Sequence, residues 1–425
     1  MFQLILLGIT AYILLFEYIL FRRIRSRFYQ KKWYSLFVKL YWSIILITQS
    51  YFFIYILLQK NVGSYIDIIY IMPFHYFVLA WQYTLAFTFP VYALYFVLKK
   101  LYIKANAYYK NLLKTNNRQN IKNLIVEKNE KKKKILSRKA FFKKSADWAF
   151  DLMPFVITTG AYGTMMLNKE HFTVVENKIK IDNLHRDFQG LRIAQIADIH
   201  IGSIVNGEYL KVAEEAINEI KADILVVTGD IIDNLYYAKE AQEFFYRLSK
   251  SIPMGIHAVL GNHDFFVNPQ LVSDTLTNAN VNVIRNDVSL LKRGNGKLNL
   301  LGLDYPIFYR RQREKRMQMA KKFFYESLKK VNSQDPVILL NHHPDEFVFF
   351  REEKIDLVLA GHTHGGQVCF TKDRESPLSF GSNFYRYYKG YYFENGTHLY
   401  VNQGLGHWMP FRVNCPPEIS VFELI

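Results

Sequence analysis

The sequence predicts an α/β domain preceded by a helical membrane region, and three observations lead to this prediction. Long apolar stretches occupy the first part of the chain. The net positive charge is confined to the same part, because residues 1–167 hold 24 Lys and Arg against six Asp and Glu, of 54 and 37 in all. From about residue 172, short apolar runs alternate with helical patterns, which is typical of α/β domains. We therefore expect two regions with different chemistry.

Four apolar stretches predict an α-helical transmembrane region of about four spans. Each approaches the length needed to cross a hydrocarbon core about 30 Å thick. The third has no polar loop to divide it, so Pro73 and Pro90 are expected to kink one tilted helix. The fourth is short, and a buried helix of the following domain is the alternative. The predicted spans are residues 2–21, 36–58, 69–98 and 146–167.

The charge pattern predicts an orientation for these spans. Basic residues without acids follow the first span, and residues 99–144 form a basic linker that includes the run Lys131 to Lys134. Positive segments mark the cytoplasmic side. We therefore expect a multi-pass protein of the cytoplasmic (inner) membrane, with its α/β domain on the extracytoplasmic side.

The basic linker has two interpretations. A nucleic-acid or phosphoinositide site is one, and a solvated loop near anionic lipid headgroups is the other. We favour the loop, because its aromatic residues are not interleaved with its charges. Residues 168–425 hold 30 basic against 31 acidic residues. This near-neutral balance argues against nucleic acid as a partner.

Two ionisable residues lie inside the first two predicted spans. Glu17 and Lys39 would mark an ion or proton path, or would extend toward the headgroups, and we favour the second because both lie near span ends. The two cysteines, Cys369 and Cys415, lack a CxxC zinc pattern and are most simply small buried residues. A disulfide between them remains open.

Beyond residue 172 the pattern predicts nine strands and three helices. The strands are apolar runs bounded by turn residues, and the helices show a 3.6-residue period. The predicted strands are 173–181, 191–197, 224–228, 255–260, 297–303, 336–341, 356–360, 397–402 and 418–424. The predicted helices are 207–220, 236–250 and 313–330.

Five of these runs end in residues that bind metal ions. Ligands of buried sheets gather beyond the carboxyl ends of the strands, so one rim is expected to collect these side chains. Asp198 and His200 share one side of an extended chain, and the carboxylate of Asp230 can bridge two cations. The candidate ligands are Asp198, His200, Asp230, Asn262, His342, His362 and His364.

These motifs resemble those of the calcineurin-like metallophosphoesterase superfamily. The family's DxH, GDxxD, GNHD and GHxH appear here at Asp198, Gly229–Asp233, Gly261–Asp264 and Gly361–His364, with His342 as the lone His. The string GHTHGGQ, with YVNQGLG and PPEIS, is similar to the bacterial membrane-anchored subgroup with N-terminal spans. The resemblance covers residues 172–425 and implies a two-sheet β-sandwich flanked by helices.

The resemblance also implies a centre for two divalent metal ions. One would be held by Asp198, His200, Asp230 and His364, and the other by Asp230, Asn262, His342 and His362. Two such ions activate a hydroxide that attacks phosphorus in line. Manganese, iron and zinc all suit the mixed nitrogen and oxygen ligands.

Further residues receive roles from the same resemblance. His263 would protonate the leaving oxygen, and Asp264 would orient its ring. Asp233 would support a ligand or cap a helix. Arg412 is a candidate for holding a phosphate, and His343 is set aside because the following Pro344 aligns His342 with the family.

We therefore expect a membrane-anchored phosphoesterase that hydrolyses phosphomonoesters or phosphodiesters. Its substrate is a phosphate ester, and the membrane region makes a lipid-linked phosphate one candidate. A sugar-lipid pyrophosphate hydrolase is the enzymatic alternative. A non-catalytic, metal-binding membrane sensor is the alternative from another class.

Overall fold

The computed structural model describes most of the chain. The described residues are 2–61, 72–116, 152–154, 156–160, 163, 172–202, 204–309, 312–332, 334–367, 369, 379, 381–407 and 412–425. They fall into two compact units, one with the N-terminal helices and the other with all the strands. The predicted fourth span at 146–167 lies largely outside the described residues, as do residues 117–144 of the predicted linker.

The N-terminal unit contains three long helices. They are α1 (Phe2–Phe28), α2 (Tyr34–Asn61) and α3 (Met72–Asn116). For the third apolar stretch a single helix was predicted across Pro73 and Pro90, and α3 is such a helix. It continues to Asn116, through the first part of the predicted linker. Apolar side chains of α1 and α3, among them Phe16, Trp81 and Leu85, form the core of this unit.

The membrane prediction is wrong. Among the described residues, no helix combines the length and the apolar character needed to cross a bilayer. Length is not the limit, since α2 has 28 residues. Tyrosines, glutamines and threonines interrupt the apolar runs, and Gln49, Gln82 and Thr84 are buried inside the unit. The predicted four spans, the multi-pass localisation and the membrane-anchored subgroup all lose their support.

Glu17 also differs from expectation. Its side chain does not extend outward but is fully buried, and it accepts hydrogen bonds from Trp81 and Gln49. Lys39 is exposed, as expected. The apolar pattern alone did not show that the polar faces of three helices meet at Glu17.

The described residues of the second unit form twelve strands. They are β1 (Thr173–Ile179), β2 (Arg192–Ile196), β3 (Ile224–Thr228), β4 (Ile256–Val259), β5 (Val281–Val283), β6 (Asp287–Arg293), β7 (Gly296–Gly302), β8 (Val337–Leu340), β9 (Leu357–Ala360), β10 (Gly390–Glu394), β11 (Thr397–Val401) and β12 (Glu418–Leu424). They form two mixed six-stranded sheets, ordered β1-β12-β2-β3-β4-β5 and β10-β11-β9-β8-β7-β6. In the first sheet β2 to β5 are parallel, and in the second β7, β8, β9 and β11 are parallel.

Six helices of this unit follow the strands in sequence. They are α4 (Gly207–Ile220), α5 (Ala238–Ser249), α6 (Asn262–Val267), α7 (Pro269–Thr277), α8 (Arg313–Leu328) and α9 (Phe347–Phe350). Helix α4 is amphipathic, and its buried side chains Leu210, Ala213 and Ile217 recur at helical spacing. It therefore packs one face on the first sheet.

The two sheets pack face to face between outer helices. The core between them joins Val226 and Phe422 of the first sheet to Leu300 and Leu359 of the second. Helices α4, α5 and α7 cover the other face of the first sheet, and α8 and α9 cover the other face of the second. Buried Ile, Val and Leu on both faces explain the continuous apolar runs of the central strands. This arrangement agrees with the α/β two-sheet fold that the resemblance implied.

Three strands were not predicted, and all three lie at sheet edges. Strand β6 is exposed or half-buried at every residue except Leu291, and β10 alternates half-buried and exposed residues. An edge strand has one neighbour and carries polar residues, so its sequence lacks a continuous apolar run. The third, β5, has only three residues and also lies at an edge of its sheet in the observed order.

Candidate metal centre

Five parallel strands deliver the predicted ligands to one place. Strands β2, β3 and β4 of the first sheet lead into Asp198 and His200, Asp230, and Asn262. Strands β8 and β9 of the second sheet lead into His342, and into His362 and His364. Atoms of these residues lie within hydrogen-bond distance across the sheets, so the carboxyl ends of both sheets form a common rim.

The backbone of this rim is strained at the ligands themselves. Residues other than glycine rarely adopt positive φ, at a cost of about 1–2 kcal/mol each. Strain of this kind is typical of functional sites, where the surrounding structure holds it in place. The ligands with positive φ are Asp198, His200, Asp230, His362 and His364, at 50°, 55°, 54°, 74° and 51°.

Gly229 shows why glycine precedes Asp230. Its φ is +85°, and a Cβ atom there would lie 2.5 Å from Nδ1 of His342. No larger residue fits both the conformation and the space. The GD pair in the sequence is therefore a requirement of the rim's packing.

The first cluster consists of Asp198, His200 and His364. Nε2 of His200 lies 3.0 Å from Nε2 of His364, which lies 3.5 Å from Oδ1 of Asp198. One ligand atom from each residue falls within 4.8 Å of the others. Backbone N–H of His362 donates to both oxygens of Asp198 at 3.0 and 2.9 Å, which fixes the carboxylate.

The second cluster consists of Asp230, His342 and His362, with Asn262 beside it. Nε2 of His342 lies 3.3 Å from Oδ2 of Asp230, 3.1 Å from Nδ1 of His362 and 3.2 Å from Oδ1 of Asn262. Nδ1–H of His342 donates to the carbonyl of Thr228 at 2.8 Å, which turns the Nε2 lone pair toward the cluster. The same Oδ2 of Asp230 lies 3.9 Å from Nε2 of His200, so one carboxylate reaches both clusters.

Each cluster contains two histidines in contact, His200 with His364 and His342 with His362, and the two members of each pair have opposite pKa shifts. Burial opposes protonation of His200 and His342, but the carboxylates of Asp233 and Asp230 raise their pKa values to about 9. Burial and the charge of these two rings hold the pKa values of His364 and His362 well below their ordinary range. Burial also raises the pKa of Asp198 to about 6, with His342 opposing. Ring nitrogens and carboxylate oxygens thus lie close together in both clusters.

Next to the first cluster, Asp233 contacts two histidine rings. Its Oδ1 lies 2.7 Å from Nδ1 of His200 and 2.9 Å from Nδ1 of His263. Burial lowers the pKa of His263, but the hydrogen bond to Asp233 and the charges of Asp230 and Asp233 together outweigh it and raise that pKa overall. The His263 side chain is 26% exposed, and its Nε2 has no hydrogen-bond partner among the described residues. This histidine therefore presents one ring nitrogen to the open side of the centre.

Asp264 differs from its predicted role. In the part of the chain that the structure describes, its carboxylate makes no hydrogen bond to the ring of His263. Its oxygens instead accept backbone N–H groups from Ile231, Ile232 and Gly261 at 2.9, 3.0 and 2.8 Å. The carboxylate is fully buried and joins the turn after β3 to the turn after β4. Asp233 occupies the position beside His263 that the sequence analysis gave to Asp264.

We predict that Asp264→Asn mainly destabilises the fold. The amide nitrogen cannot accept a hydrogen bond, so one buried N–H is left unpaired at a cost of about 2 kcal/mol. Urea unfolding of the variant would measure this loss. Asp274→Asn on the exposed face of α7 is the control, with a change within about 0.5 kcal/mol. An Asp264→Asn variant of unchanged stability that lost its activity would contradict the structural role.

Arg412 also differs from its predicted role. The side chain is 2% exposed, and its guanidinium donates to backbone carbonyls, so it does not face a substrate. Its Nη2 lies 3.4 Å from Nδ1 of His364, and Arg412 therefore supports the loop behind this ligand. The carbonyls belong to Gln403, Gly404, Gly406 and Cys415.

Several neighbours of the centre were missed or left aside. The His343 ring lies 4.2 Å from that of His362 between centroids, and the ring of Tyr305 stacks near His343 at 6.4 Å. The hydroxyl of Tyr385 lies 3.4 Å from Nε2 of His362. Neither tyrosine follows a motif, so no sequence pattern indicated a role for them. Both cysteines are buried and free. His407 packs near Tyr209, and Trp408 lies outside the described residues.

The chain is similar to known phosphoesterases. Residues 191–366 match the calcineurin-like phosphoesterase family. The uncharacterized metallophosphoesterase YkuE of Bacillus subtilis is 31% identical over 270 residues, which cover 62% of this chain and 90% of that protein. UDP-2,3-diacylglucosamine pyrophosphatase LpxG of Chlamydia trachomatis is 26% identical over 302 residues, covering 58% and 86%. Phosphodiesterase YaeI of Escherichia coli is 26% identical over 244 residues, covering 55% and 82%.

Proposed function

This chain belongs to the calcineurin-like metallophosphoesterases and is a hydrolase of phosphoester bonds, and from this premise we propose that its histidine-rich rim holds two divalent metal ions. The unit that contains the strands, residues 172–425, is then the catalytic domain. The observation that supports the proposal most directly is the convergence of ring nitrogens and carboxylate oxygens into two clusters, with atoms within 4.8 Å of one another.

The residues of the two clusters fit such ions. Each cluster offers imidazole nitrogen and carboxylate oxygen, a mixture that manganese, iron and zinc accept. Asp198, His200 and His364 would hold one ion, and His342, His362 and Asn262 the other. Asp230 would bridge them, because its Oδ2 already lies near a ring nitrogen of each cluster. When bound, two such ions lower the pKa of a water molecule and neutralise charge on the phosphoryl oxygens.

The protein's own residues would then position the His263 ring and supply a proton to the leaving oxygen. Asp230 accepts the backbone N–H of His263 at 2.7 Å, which places the His263 ring at the edge of the centre. Asp233 accepts one hydrogen bond from Nδ1–H of that ring and another from Nδ1–H of His200. Nε2 of His263 is left to donate a proton to the leaving oxygen of the ester. A module that only binds metal ions would not need His263, which lies outside both clusters.

A second candidate function is hydrolysis of a sugar-lipid pyrophosphate. The relative named as a UDP-2,3-diacylglucosamine pyrophosphatase acts on a substrate with two acyl groups. In this chain two phenylalanines near the centre are exposed, Phe266 by 48% and Phe384 by 67%. Phe266 lies 5.5 Å from the ring of His263, and Phe384 precedes the Tyr385 that contacts His362. An apolar rim of this kind suits a phosphate ester with an acyl chain.

Removal of the metal ions tests the proposal. The full chain, dialysed against a chelator, is expected to lose turnover of bis(p-nitrophenyl) phosphate and p-nitrophenyl phosphate and to regain it with Mn²⁺. Elemental analysis should find about two ions per chain in the active protein. Assay of a diacylglucosamine nucleotide alongside would distinguish the two candidate substrates.

Asp182→Asn provides the matched control, because this acid is 87% exposed and far in sequence from the motifs. Its metal content and turnover should equal those of the unchanged chain. Full turnover by a protein shown to contain no metal would sink the proposal. A much higher kcat/KM for the diacyl nucleotide than for both chromogenic esters would favour the pyrophosphatase.

A further inference from the structure

The three N-terminal helices enclose a single acidic side chain. Glu17 of α1 is fully buried. Its Oε1 accepts Nε1–H of Trp81 from α3 at 3.1 Å and Nε2–H of Gln49 from α2 at 3.2 Å. All three helices thus contribute a polar side chain to one buried point.

The hydrogen bonds at this point are incomplete. Four buried atoms have no hydrogen-bond partner within the part of the chain that the structure describes: Oε2 of Glu17, Oε1 of Gln49, and both amide atoms of Gln82. Buried polar atoms are normally paired, so each exception calls for an explanation. Three of the four are oxygens that can only accept, if Glu17 is ionised. The missing partner of these three oxygens is therefore electron-poor, whereas the fourth atom, Nε2 of Gln82, is a donor.

The charge of Glu17 is also uncompensated. No basic side chain forms an ion pair with it among the described residues. The titratable group that faces it is Tyr41 of α2, whose hydroxyl donates to the Glu17 carbonyl at 3.0 Å. From α3 it contacts Trp81, which carries no charge and precedes the buried Gln82 in the helix. Burial raises the pKa of Glu17 to about 7, and the bonds from Trp81 and Gln49 oppose this shift.

We propose that Glu17, Gln49 and Gln82 form a buried binding site for a small monovalent metal ion, which exchanges with a proton on the Glu17 carboxylate. Oxygen ligands suit an alkali ion, and the absence of histidine and cysteine from these three residues disfavours a transition metal. One carboxylate balances one positive charge, whereas calcium sites usually combine several. The proton competes because it binds the same oxygens.

Trp81 provides a direct measurement, because its indole N–H bonds to the carboxylate that changes charge. Tryptophan emission of the full chain is followed from acid to alkaline pH in choline chloride, and then in equal concentrations of lithium, sodium and potassium chloride. Trp81→Phe identifies the share of the signal that comes from this residue. The expected result is a midpoint that falls with an alkali ion, by about one pH unit for each tenfold rise in its concentration.

Three variants complete the test. Glu17→Gln removes the exchangeable charge while keeping the shape, so the midpoint should disappear. Gln82→Leu removes one oxygen, so the proton midpoint should remain and about tenfold more salt should be needed for the same shift. Gln30→Leu replaces an exposed glutamine of the same unit and should behave like the unchanged chain. A midpoint that is the same in choline and in all three alkali salts, or that persists in Glu17→Gln, would overturn the proposal.

Discussion

Asp230→Asn is expected to lower kcat/KM for bis(p-nitrophenyl) phosphate by about 1,000-fold or more. Asp230 is the one carboxylate that reaches both clusters, and its Oδ2 lies 3.3 Å from Nε2 of His342. The amide that replaces this oxygen carries no charge and cannot bridge two cations. Loss of about 4 kcal/mol of transition-state stabilisation corresponds to three powers of ten in rate.

Metal analysis and kinetics together check this prediction. The variant should bind about one metal ion fewer per chain, while its far-ultraviolet circular dichroism matches the unchanged protein. Asn keeps the oxygen that accepts the His263 backbone N–H, so the turn before α6 should survive. Asp182→Asn again serves as the control. An Asp230→Asn variant with two ions and turnover within tenfold of normal would disprove the bridging role.

His263→Gln is expected to show a loss that depends on the leaving group. A general acid contributes about 10²- to 10⁴-fold to rate, and it matters most when the departing oxygen is basic. We expect kcat for phenyl esters to fall about 100-fold or more, with a much smaller fall for p-nitrophenyl esters. His263 contacts neither cluster through Nε2, so metal content should not change.

A series of leaving groups with different pKa values measures this dependence. Asp233→Asn should produce the same trend more weakly, because it loosens the ring of His263 and also that of His200. His398→Gln, on strand β11, is the control. Equal losses for all leaving groups would show that His263 acts by binding the substrate and not by protonating it.

Sequence reasoning placed the central strands well because of their burial. Strand β3 is buried at all five residues, and such strands read as continuous apolar runs. The ends of these runs also located the candidate ligands, since ligands of parallel sheets gather at the carboxyl ends. Edge strands β6 and β10 gave no such signal, because each has a single neighbouring strand and a polar exposed face.

The same reasoning failed where a residue's role depends on the direction in which its side chain points. Asp233 and Asp264 are both acids beside the motifs, and sequence order made Asp264 the natural partner of His263. In the structure the first residues of α6 turn the Asp264 carboxylate back toward three backbone N–H groups, while Asp233 reaches two rings. Arg412 likewise faces carbonyls and not the open centre.

The N-terminal region shows the limit of predictions that are made from composition. Apolar stretches and basic flanks predicted membrane spans, but none of the described helices is apolar enough to cross a bilayer. Composition counts residues without recording which faces meet. Only the packing of α1, α2 and α3 shows that Glu17, Gln49 and Trp81 meet in one buried polar point.

The sequence by itself determined the α/β character of the second unit, the identity of the candidate ligands and their order along the chain. These follow from local patterns, because burial dictates apolar runs and metal binding dictates residue type. Tertiary structure alone decided which ring nitrogens face each other, that Asp233 holds His263, that Arg412 is buried and that Glu17 lies inside its unit. The physical reason is that hydrogen bonds form only over about 3 Å, here between residues far apart in sequence, and only the folded chain sets those distances.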